Sequence, residues 1–335
     1  MRTQASLDFS VILNHLQEVD HPFPPKDLYH FSDLNPSDLA ALERVWPSVP
    51  TERRRNVVDD LSEISEANFE VTFEAVFRLG LEDEDAEVRA TSIRSLWEAE
   101  GLDLIAPFIE FMQRDPAPEV RAAAAIALGS YVYQGEMEEI PGRQARRIEE
   151  ALLQVMRGDD TPEVRRRALE AISFSGRPEI PGLIEAAYAS SDDRFRVSAV
   201  FAMGRHGNAG RWAKPVLAEM ENGTPELRFE AARAAGELKL TEAVPGLTQL
   251  VEDGDPQVRE AAIWSLSQIG GPEPRRVLTE LLALTDEDEE EHDFIEEALD
   301  NLDFTDEMHN FTPFDLGEDD DLEDDEDDES GISLN

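Results

Sequence analysis

The chain is organised around a short phrase that returns along most of its length. Its clearest copy is DGDPQVREAAIWSLSQIG, residues 253–270. Apolar or small residues recur there at helical spacing and predict one buried stripe: Val258, Ala262, Leu266 and Ile269. Asp255-Pro256 is typical of a helix start and Gly270-Gly271 of a helix end, so we predict a polar turn followed by one helix.

Six copies of the phrase align on one arginine each. These anchor arginines are Arg89, Arg121, Arg165, Arg196, Arg228 and Arg259, and the successive gaps are 32, 44, 31, 32 and 31 residues. A period of this size is typical of stacked supersecondary units. Weaker copies at Arg54 and His292 extend the series, so we predict an all-α stack of about eight antiparallel helix pairs over residues 36–304.

The helix that carries each anchor shows two regular columns. The residue three places after the anchor is always small: Ser92, Ala124, Ala168, Ala199, Ala231 and Ala262. The residue seven places after it is mostly large and apolar: Leu96, Leu128, Ile172, Met203, Ala235 and Leu266. A second helix precedes each anchored one, for example at 181–189, 214–221 and 245–251. Such a pair buries its apolar face only when it is stacked on others.

The longest gap contains roughly twelve extra residues near 131–147, by comparison with the other periods. Two interpretations are open. The extra residues extend the structure of that unit, or they form a loop on one face of the array, which is where such insertions place binding sites.

Both ends depart from the repeat. Residues 1–35 are predicted to be an N-terminal helix and a Pro-rich lead-in. Residues 305–335 are predicted to be a disordered acidic tail, because 11 of the 12 residues from Glu318 to Glu329 are acidic and like charges oppose packing. The tail serves solubility, recruits a basic partner, or covers a binding groove of the same chain.

The net charge of −45 excludes some classes of partner. Residues 277–335 hold 26 acidic residues and no Lys or Arg, which leaves residues 1–276 with 49 acidic and 30 basic residues and a net charge of −19. Such a surface repels nucleic acids and anionic membranes. Without cysteines, a signal peptide or a long apolar segment, we expect a cytoplasmic protein.

No motif for catalysis or for a metal is recognisable. The six histidines are scattered and form neither H-x3-H nor H-E-x-x-H, and the glycine motifs of nucleotide-binding loops are absent. The acidic run at 286–291 lacks the glycine and the ligand spacing of a calcium loop. We therefore predict no catalytic residue, no metal site and no cofactor.

One face of the anchored helices carries apolar residues where a solvated face is expected to be polar. Positions one and five after the anchors supply the candidate partner-binding residues: Arg166, Val197, Phe201, Phe229, Arg233 and Trp264. Exposed aromatic residues beside arginines are typical of binding hot spots. The alternative is that these side chains fold inward and complete the core.

The pattern D-x-P-x-V-R-x-x-A-x-x-x-L resembles HEAT repeats, and most closely the short bacterial HEAT-like type named after phycobilisome lyases. Four stretches carry the resemblance: 115–129, 159–173, 192–204 and 253–271. It implies a right-handed α-solenoid whose anchored helices line the concave side.

The resemblance also implies that an Asp between the two helices of a unit bonds the anchor arginine across neighbouring units. The implied ladder pairs are Asp83 or Asp85 with Arg89, Asp115 with Arg121, Asp159 with Arg165, Asp192 with Arg196, and Asp253 with Arg259. The unit of Arg228 departs from this pattern because Asn222 replaces the Asp. The anchor arginines are therefore interpreted as structural.

The main functional hypothesis is a non-enzymatic scaffold or adaptor that binds a protein or peptide on its concave face. The acidic surface favours a basic partner. A second hypothesis, implied by the resemblance, is a chromophore-lyase-like protein or a tetrapyrrole accessory factor. A third is an acidic DNA mimic or a chaperone of basic proteins. The oligomeric state cannot be read from the sequence.

Overall fold

The computed structural model describes residues 9–310 except 19, 98, 100 and 286–289, and this part of the chain is helical without strands. The α-helices are α1 Phe9–Gln17, α2 Pro25–Leu28, α3 Pro36–Val45, α4 Thr51–Ala67, α5 Glu74–Gly80, α6 Ala86–Ser95, α7 Ile105–Arg114, α8 Pro118–Glu136, α9 Gly142–Arg157, α10 Pro162–Ile172, α11 Ile180–Tyr188, α12 Asp193–His206, α13 Ala209–Asn222, α14 Pro225–Glu237, α15 Val244–Leu250, α16 Pro256–Ile269, α17 Pro272–Leu282 and α18 Glu290–Asn310. Short 3-10 turns are formed by Tyr29–Phe31, Trp46–Ser48, Leu102–Leu104 and Thr241–Ala243.

The described helices from α3 to α18 form eight consecutive pairs, which confirms the predicted α-solenoid. The even-numbered helices α4 to α16 are the anchored ones, and the odd-numbered helices are their partners. The boundary signals also behave as predicted in α16. Asp255 Oδ1 accepts a hydrogen bond from the Gln257 N–H at 2.9 Å, and Gly270 and Gly271 have φ angles of 71° and 92°, which favour glycine.

The chain divides into two compact units, Met1–Leu266 and Ser267–Asn335. In the first unit, α8 packs against α6, α7, α9 and α10, and α12 packs against α10, α11, α13 and α14. In the second unit, α17 packs against α18. The predicted limits of the repeat region, residues 36 and 304, are not the limits of these two units and stay a prediction.

The small column lies where the anchored helices approach their neighbours. All six members three places after an anchor are 0% exposed, and all six members seven places after it are buried. A methyl or hydroxymethyl side chain at each crossing lets the backbones come close together, while the larger column fills the space beside it. This confirms which face of the anchored helices forms the core.

The insertion in the longest gap lengthens two helices. Helix α8 has 19 residues and α9 has 16, and they are joined by a turn of five residues. The structure therefore favours the extension of the unit over a long loop. The added turns nevertheless carry Tyr133 to the candidate site described below.

The two ends agree only in part with the predictions. Helix α1 occupies the predicted N-terminal segment. The predicted disorder from residue 305 onwards is wrong for 305–310, because α18 continues to Asn310. Asp306 holds this end: its Oδ1 accepts from the Gly271 N–H at 2.7 Å and its Oδ2 from Arg275 Nη2 at 2.9 Å. Residues 311–335 lie outside the described residues.

Over the part of the chain that the structure describes, no helix combines the length and the apolar character needed to cross a bilayer.

Candidate binding surface on the anchored helices

The anchor arginines form short, mostly two-pronged ion pairs between successive units. The guanidinium of Arg89 donates from Nε and Nη2 to Asp115 at 2.9 Å in both bonds. Arg121 donates to Asp160 at 2.9 and 2.8 Å, and Arg228 to Asp253 at 2.8 Å twice. Arg54 extends the series to α4, with Nη2 3.1 Å from Asp83 Oδ1.

The implied ladder pairs were therefore wrong in register. Arg89, Arg121 and Arg228 take their carboxylate from the following unit, because the side chain reaches forward across the joint. Within its own unit it donates to a backbone carbonyl, as Arg89 does to Asp83 O and Arg259 to Asp253 O. Asp192 instead caps its own helix and pairs with Arg194.

Two joints depart from the pattern. At the joint after Arg196, the position of the ladder Asp is Asn222, and Arg196 turns to Glu219 at 2.8 Å. Arg165 has no carboxylate partner among the described residues. It donates to Met156 O at 3.1 Å and lies 5.7 Å from the Phe195 ring, because serines stand where the next unit would supply the carboxylate.

Three of the predicted partner-binding residues lie together. The Cζ atom of Arg233 is 5.8 Å from the ring centre of Phe201 and 5.6 Å from that of Phe229, which places it over both rings. Both rings are half-buried. They are neither fully folded into the core nor freely solvated.

The other three predicted residues differ in exposure. Arg166 is only 9% exposed and is bound within the protein, to Ser198 Oγ at 2.8 Å and to Glu163 at 2.5 Å, so its assignment to the partner-binding surface is wrong. Val197 is half-buried. Trp264 is 37% exposed and occupies on α16 the position that Arg233 occupies on α14.

Sequence reasoning missed three members of the surface. The Cζ atom of Arg205 is 5.3 Å from the ring centre of Phe201 and 5.4 Å from that of Phe174. The ring centres of Phe174 and Tyr133 are 5.3 Å apart in an edge-to-face arrangement. Arg205 and Phe174 both stand nine places after an anchor, so that position was the missing signal.

Together these side chains form one continuous series, which we call the aromatic–arginine stack. Its members, in spatial order, are Tyr133, Phe174, Arg205, Phe201, Arg233 and Phe229. They come from α8, the turn after α10, α12 and α14, so four successive units contribute. Tyr133 at one end is 46% exposed, which opens the stack to solvent there.

The extension of α8 and α9 fixes the turn that carries Phe174. Glu136, the last residue of α8, accepts the Gly176 N–H at 3.0 Å, and Glu149 of α9 accepts the Ser175 hydroxyl at 2.5 Å. The extra residues of the longest gap therefore position one end of the stack.

Two half-buried carboxylates accompany the stack. Glu237 Oε1 lies 3.3 Å from Arg205 and 3.7 Å from Arg233, and Glu230 Oε2 lies 3.5 Å from Arg233. Burial raises the pKa of Glu230 to about 7, against the opposing charge of Arg233, and burial also raises the pKa of Glu237. A carboxyl group with a pKa near 7, as Glu230 has, exchanges protons near neutral pH.

Within the described ranges, no three His, Asp or Glu side chains come together as a metal-binding group. The carboxylates of the stack are engaged with arginines instead.

The repeat is recognised by family models. HEAT repeats match residues 74–142 and 213–299, and a HEAT-like repeat matches residues 118–174.

Two relatives match parts of the chain. The bilin biosynthesis protein PecE from Nostoc sp. (strain PCC 7120) is 39% identical over 106 residues, which are 30% of this chain and 41% of PecE. The uncharacterized phycocyanin operon protein Y from Pseudanabaena tenuis is 31% identical over 96 residues, 29% of this chain and 22% of that protein. The chain thus spans less than half of the length of either relative.

Solved structures align over more of the chain at low identity. The complex of CpcE and CpcF of phycocyanin lyase from Nostoc sp. PCC7120 aligns at 15% identity with a TM-score of 0.48, covering 90% of this chain and 97% of that one. Importin beta aligns at 16% identity with a TM-score of 0.43, covering 88% of this chain and 44% of that one.

The similarity to a bilin biosynthesis protein contradicts the prediction that this chain is not an enzyme. The prediction depended on the absence of a local catalytic motif. In an array of this kind, a surface draws residues from several units. The stack is spread over residues 133–233, so no single local motif marks it.

Proposed function

The chain belongs to the HEAT-repeat proteins of the phycobilisome-lyase HEAT-like type, and from that premise we propose that it acts on bilins. In this proposal it is a lyase-type enzyme, or an accessory factor of one, that makes or breaks the bond between a bilin and the protein that carries it. The similarity to PecE supports this class of substrate.

The aromatic–arginine stack is the observation that carries the proposal. A bilin is a linear chain of four conjugated pyrrole rings, and flat conjugated rings bind well on aromatic side chains. Bilins also carry propionate groups, which are natural partners of guanidinium. A surface on which three rings and two guanidiniums alternate offers both kinds of contact along one line.

The carboxylates beside the stack suit the chemistry of the substrate. Pyrrole N–H groups are donors, and a carboxyl group whose pKa lies near 7 can give or take a proton at neutral pH. Glu230 has this property because partial removal from water disfavours its charged form. We assign it as the group that exchanges a proton with the bilin.

The second substrate in this proposal is the bilin-carrying protein. The chain has a net charge of −45, so we expect an acceptor whose docking surface is positively charged. Association should then slow as salt is added, since screening shortens the reach of the charges to about 8 Å at 0.15 M.

Binding is tested first. Purified protein is titrated with biliverdin, and the visible absorbance of the bilin is followed. Phe201→Ala removes the central ring of the stack and should weaken binding at least tenfold, about 1.4 kcal/mol. The matched control is Trp97→Ala, which removes an aromatic ring that is 57% exposed outside the stack.

Activity is tested next with phycocyanobilin and an apo-phycocyanin subunit as the acceptor. Mass spectrometry of the acceptor shows whether the protein speeds covalent attachment or, starting from the loaded subunit, removal. Binding that depends on Phe201 together with a changed rate of attachment or removal supports the proposal. Failure to bind biliverdin at tens of micromolar, or equal binding by Phe201→Ala and wild type, contradicts it.

A further inference from the structure

Arg205 and Arg233 are held differently from the ladder arginines. The ladder guanidiniums of Arg89, Arg121 and Arg228 donate hydrogen bonds to carboxylates at 2.8–2.9 Å. The two stack guanidiniums lie over rings instead, and their closest carboxylate contacts are 3.3–3.7 Å. Among the described residues neither makes a hydrogen bond, and Nε of Arg205 is buried without a partner.

Both guanidiniums converge on one oxygen atom. Glu237 Oε1 is 3.3 Å from Nη2 of Arg205 and 3.7 Å from Nη2 of Arg233, so two successive units aim their donors at the same point. The helices come close enough for this because residue 204 is glycine. A Cβ atom there would lie 2.5 Å from Glu237 Oε2 and 3.0 Å from the backbone of Ala234.

We propose that Arg205 and Arg233 form a receptor for a carboxylate group of the ligand, and that Glu237 is a built-in competitor which the ligand displaces. The propionate of a bilin is the carboxylate we expect, and in this respect the inference rests on the proposed function. A ligand carboxylate that enters between the guanidiniums can form the short two-pronged bonds that Glu237 does not form.

The charges around the receptor explain how a further negative group is accepted. Arg205 and Arg233 face Glu237 and Glu230, and the charge of Glu170 also acts on Glu230. Adding a carboxylate to this group favours the uptake of a proton by Glu230, whose pKa is already raised to about 7 by burial. Binding of the carboxylate should therefore be tighter at pH 6 than at pH 8.

The test compares biliverdin with its dimethyl ester, which keeps the ring system and lacks both charges. We expect the wild type to bind the acid about tenfold more tightly than the ester, because a hydrogen bond to a charged group contributes about this much affinity. Arg205→Gln and Arg233→Gln should each reduce this preference towards one. Arg94→Gln is the matched control, because Arg94 stands five places after its anchor, as Arg233 does, outside the stack.

A variant that is expected to bind more tightly distinguishes an effect on the receptor from a general loss of folding. Glu237→Gln removes the competing charge and should bind the acid more tightly, about threefold or more, with no gain for the ester. Equal binding of acid and ester by the wild type, with loss of both in Phe201→Ala, would overturn the receptor and leave bilin binding intact.

If the wild type binds neither form, the proposed function fails and a simpler pair of probes decides on the receptor. Pyrenebutyrate carries a flat ring system and one carboxylate, and pyrenebutanol lacks the charge. A preference for pyrenebutyrate that disappears in Arg205→Gln supports the receptor without any bilin. The same affinity for both probes overturns it.

Discussion

At the scale of single residues, the arginines of this protein serve two purposes that their environments separate. The ladder arginines are matched by Asp at short distances and contribute to the joints between units. The stack arginines are matched by aromatic rings and by carboxylates at longer distances, so their N–H groups are available. The same residue type is structural in one column and a candidate for binding in another.

The ladder leads to a prediction for Asp253. Its carboxylate is 9% exposed, and the hydrogen bonds from Arg228 hold its pKa below the usual range. Asp253→Asn leaves the half-buried guanidinium of Arg228 without a charged partner and should lower the free energy of unfolding by about 1–3 kcal/mol, measured by urea denaturation. Asp192→Asn is the control, because Asn caps a helix as well as Asp does and should change stability by less than about 0.5 kcal/mol. Equal losses in both variants would contradict the forward register of the ladder.

Glu230 leads to a prediction about pH. Its pKa is about 7 in the folded protein, against an ordinary value of 4.5 for a solvated Glu, so the folded state holds an extra proton between these values. The stability that this proton contributes is present at low pH and is lost as the pH rises through 7. The free energy of unfolding of the wild type should therefore fall between pH 5 and pH 8. In Glu230→Gln this fall should be smaller by roughly 1–3 kcal/mol. Parallel curves for the two proteins would show that Glu230 does not titrate in this range.

At the scale of helices, the joints are not equivalent. Among the described residues, no carboxylate pairs with Arg165 at the joint after it, whereas Arg89, Arg121 and Arg228 each pair with one. The stack crosses this same joint, since Phe174 precedes it and Arg205 follows it. There the contact between ring and guanidinium supplies a connection between units that the ladder does not.

The small column leads to a prediction for Ala199 on α12. Its side chain is 0% exposed where neighbouring helices approach, so Ala199→Leu overfills the space. We expect a loss of about 1–3 kcal/mol and a lower melting temperature. Ala218→Leu on the exposed side of α13 adds the same atoms where they meet solvent and should change stability by less than about 0.5 kcal/mol. An unchanged melting temperature for Ala199→Leu would reject the assignment of this face to the core.

At the scale of the whole molecule, charge is the dominant feature. The net charge of −45 includes 12 acidic residues within 311–335, and removal of that segment leaves −33. Mutual repulsion of like charges destabilises a compact state, and salt screens it. The charge thus acts on stability and on the rate of association with a partner.

Deletion of residues 311–335 tests the predicted tail. If the segment does not pack on the helices, the melting temperature at about 0.5 M salt should stay within the error of the measurement. The increase in melting temperature between about 0.05 M and 0.5 M salt should be smaller for the shortened chain, because less repulsion is left to screen. Thermal unfolding followed by circular dichroism measures both quantities. A loss of several degrees at high salt would show that the segment belongs to the fold.

Much of the fold was determined by the sequence alone. The helix of residues 253–270, the glycine pair that ends it and the small column with Ala199 were all predicted correctly. These features depend on residues a few places apart, and a helix repeats its faces every few residues whatever lies beside it. Periodicity therefore carries information on the helix pairs and on the face that each helix buries.

The tertiary structure alone decided which side chains meet across units. Arg89 bonds the Asp of the next unit rather than its own, Arg166 is buried by its neighbours, and Phe174 meets Arg205 across a joint without a ladder pair. These contacts depend on how far a side chain reaches and in which direction it points when two helices pack. The residues concerned lie some 20 to 40 places apart in the chain, beyond the range over which helical periodicity specifies position.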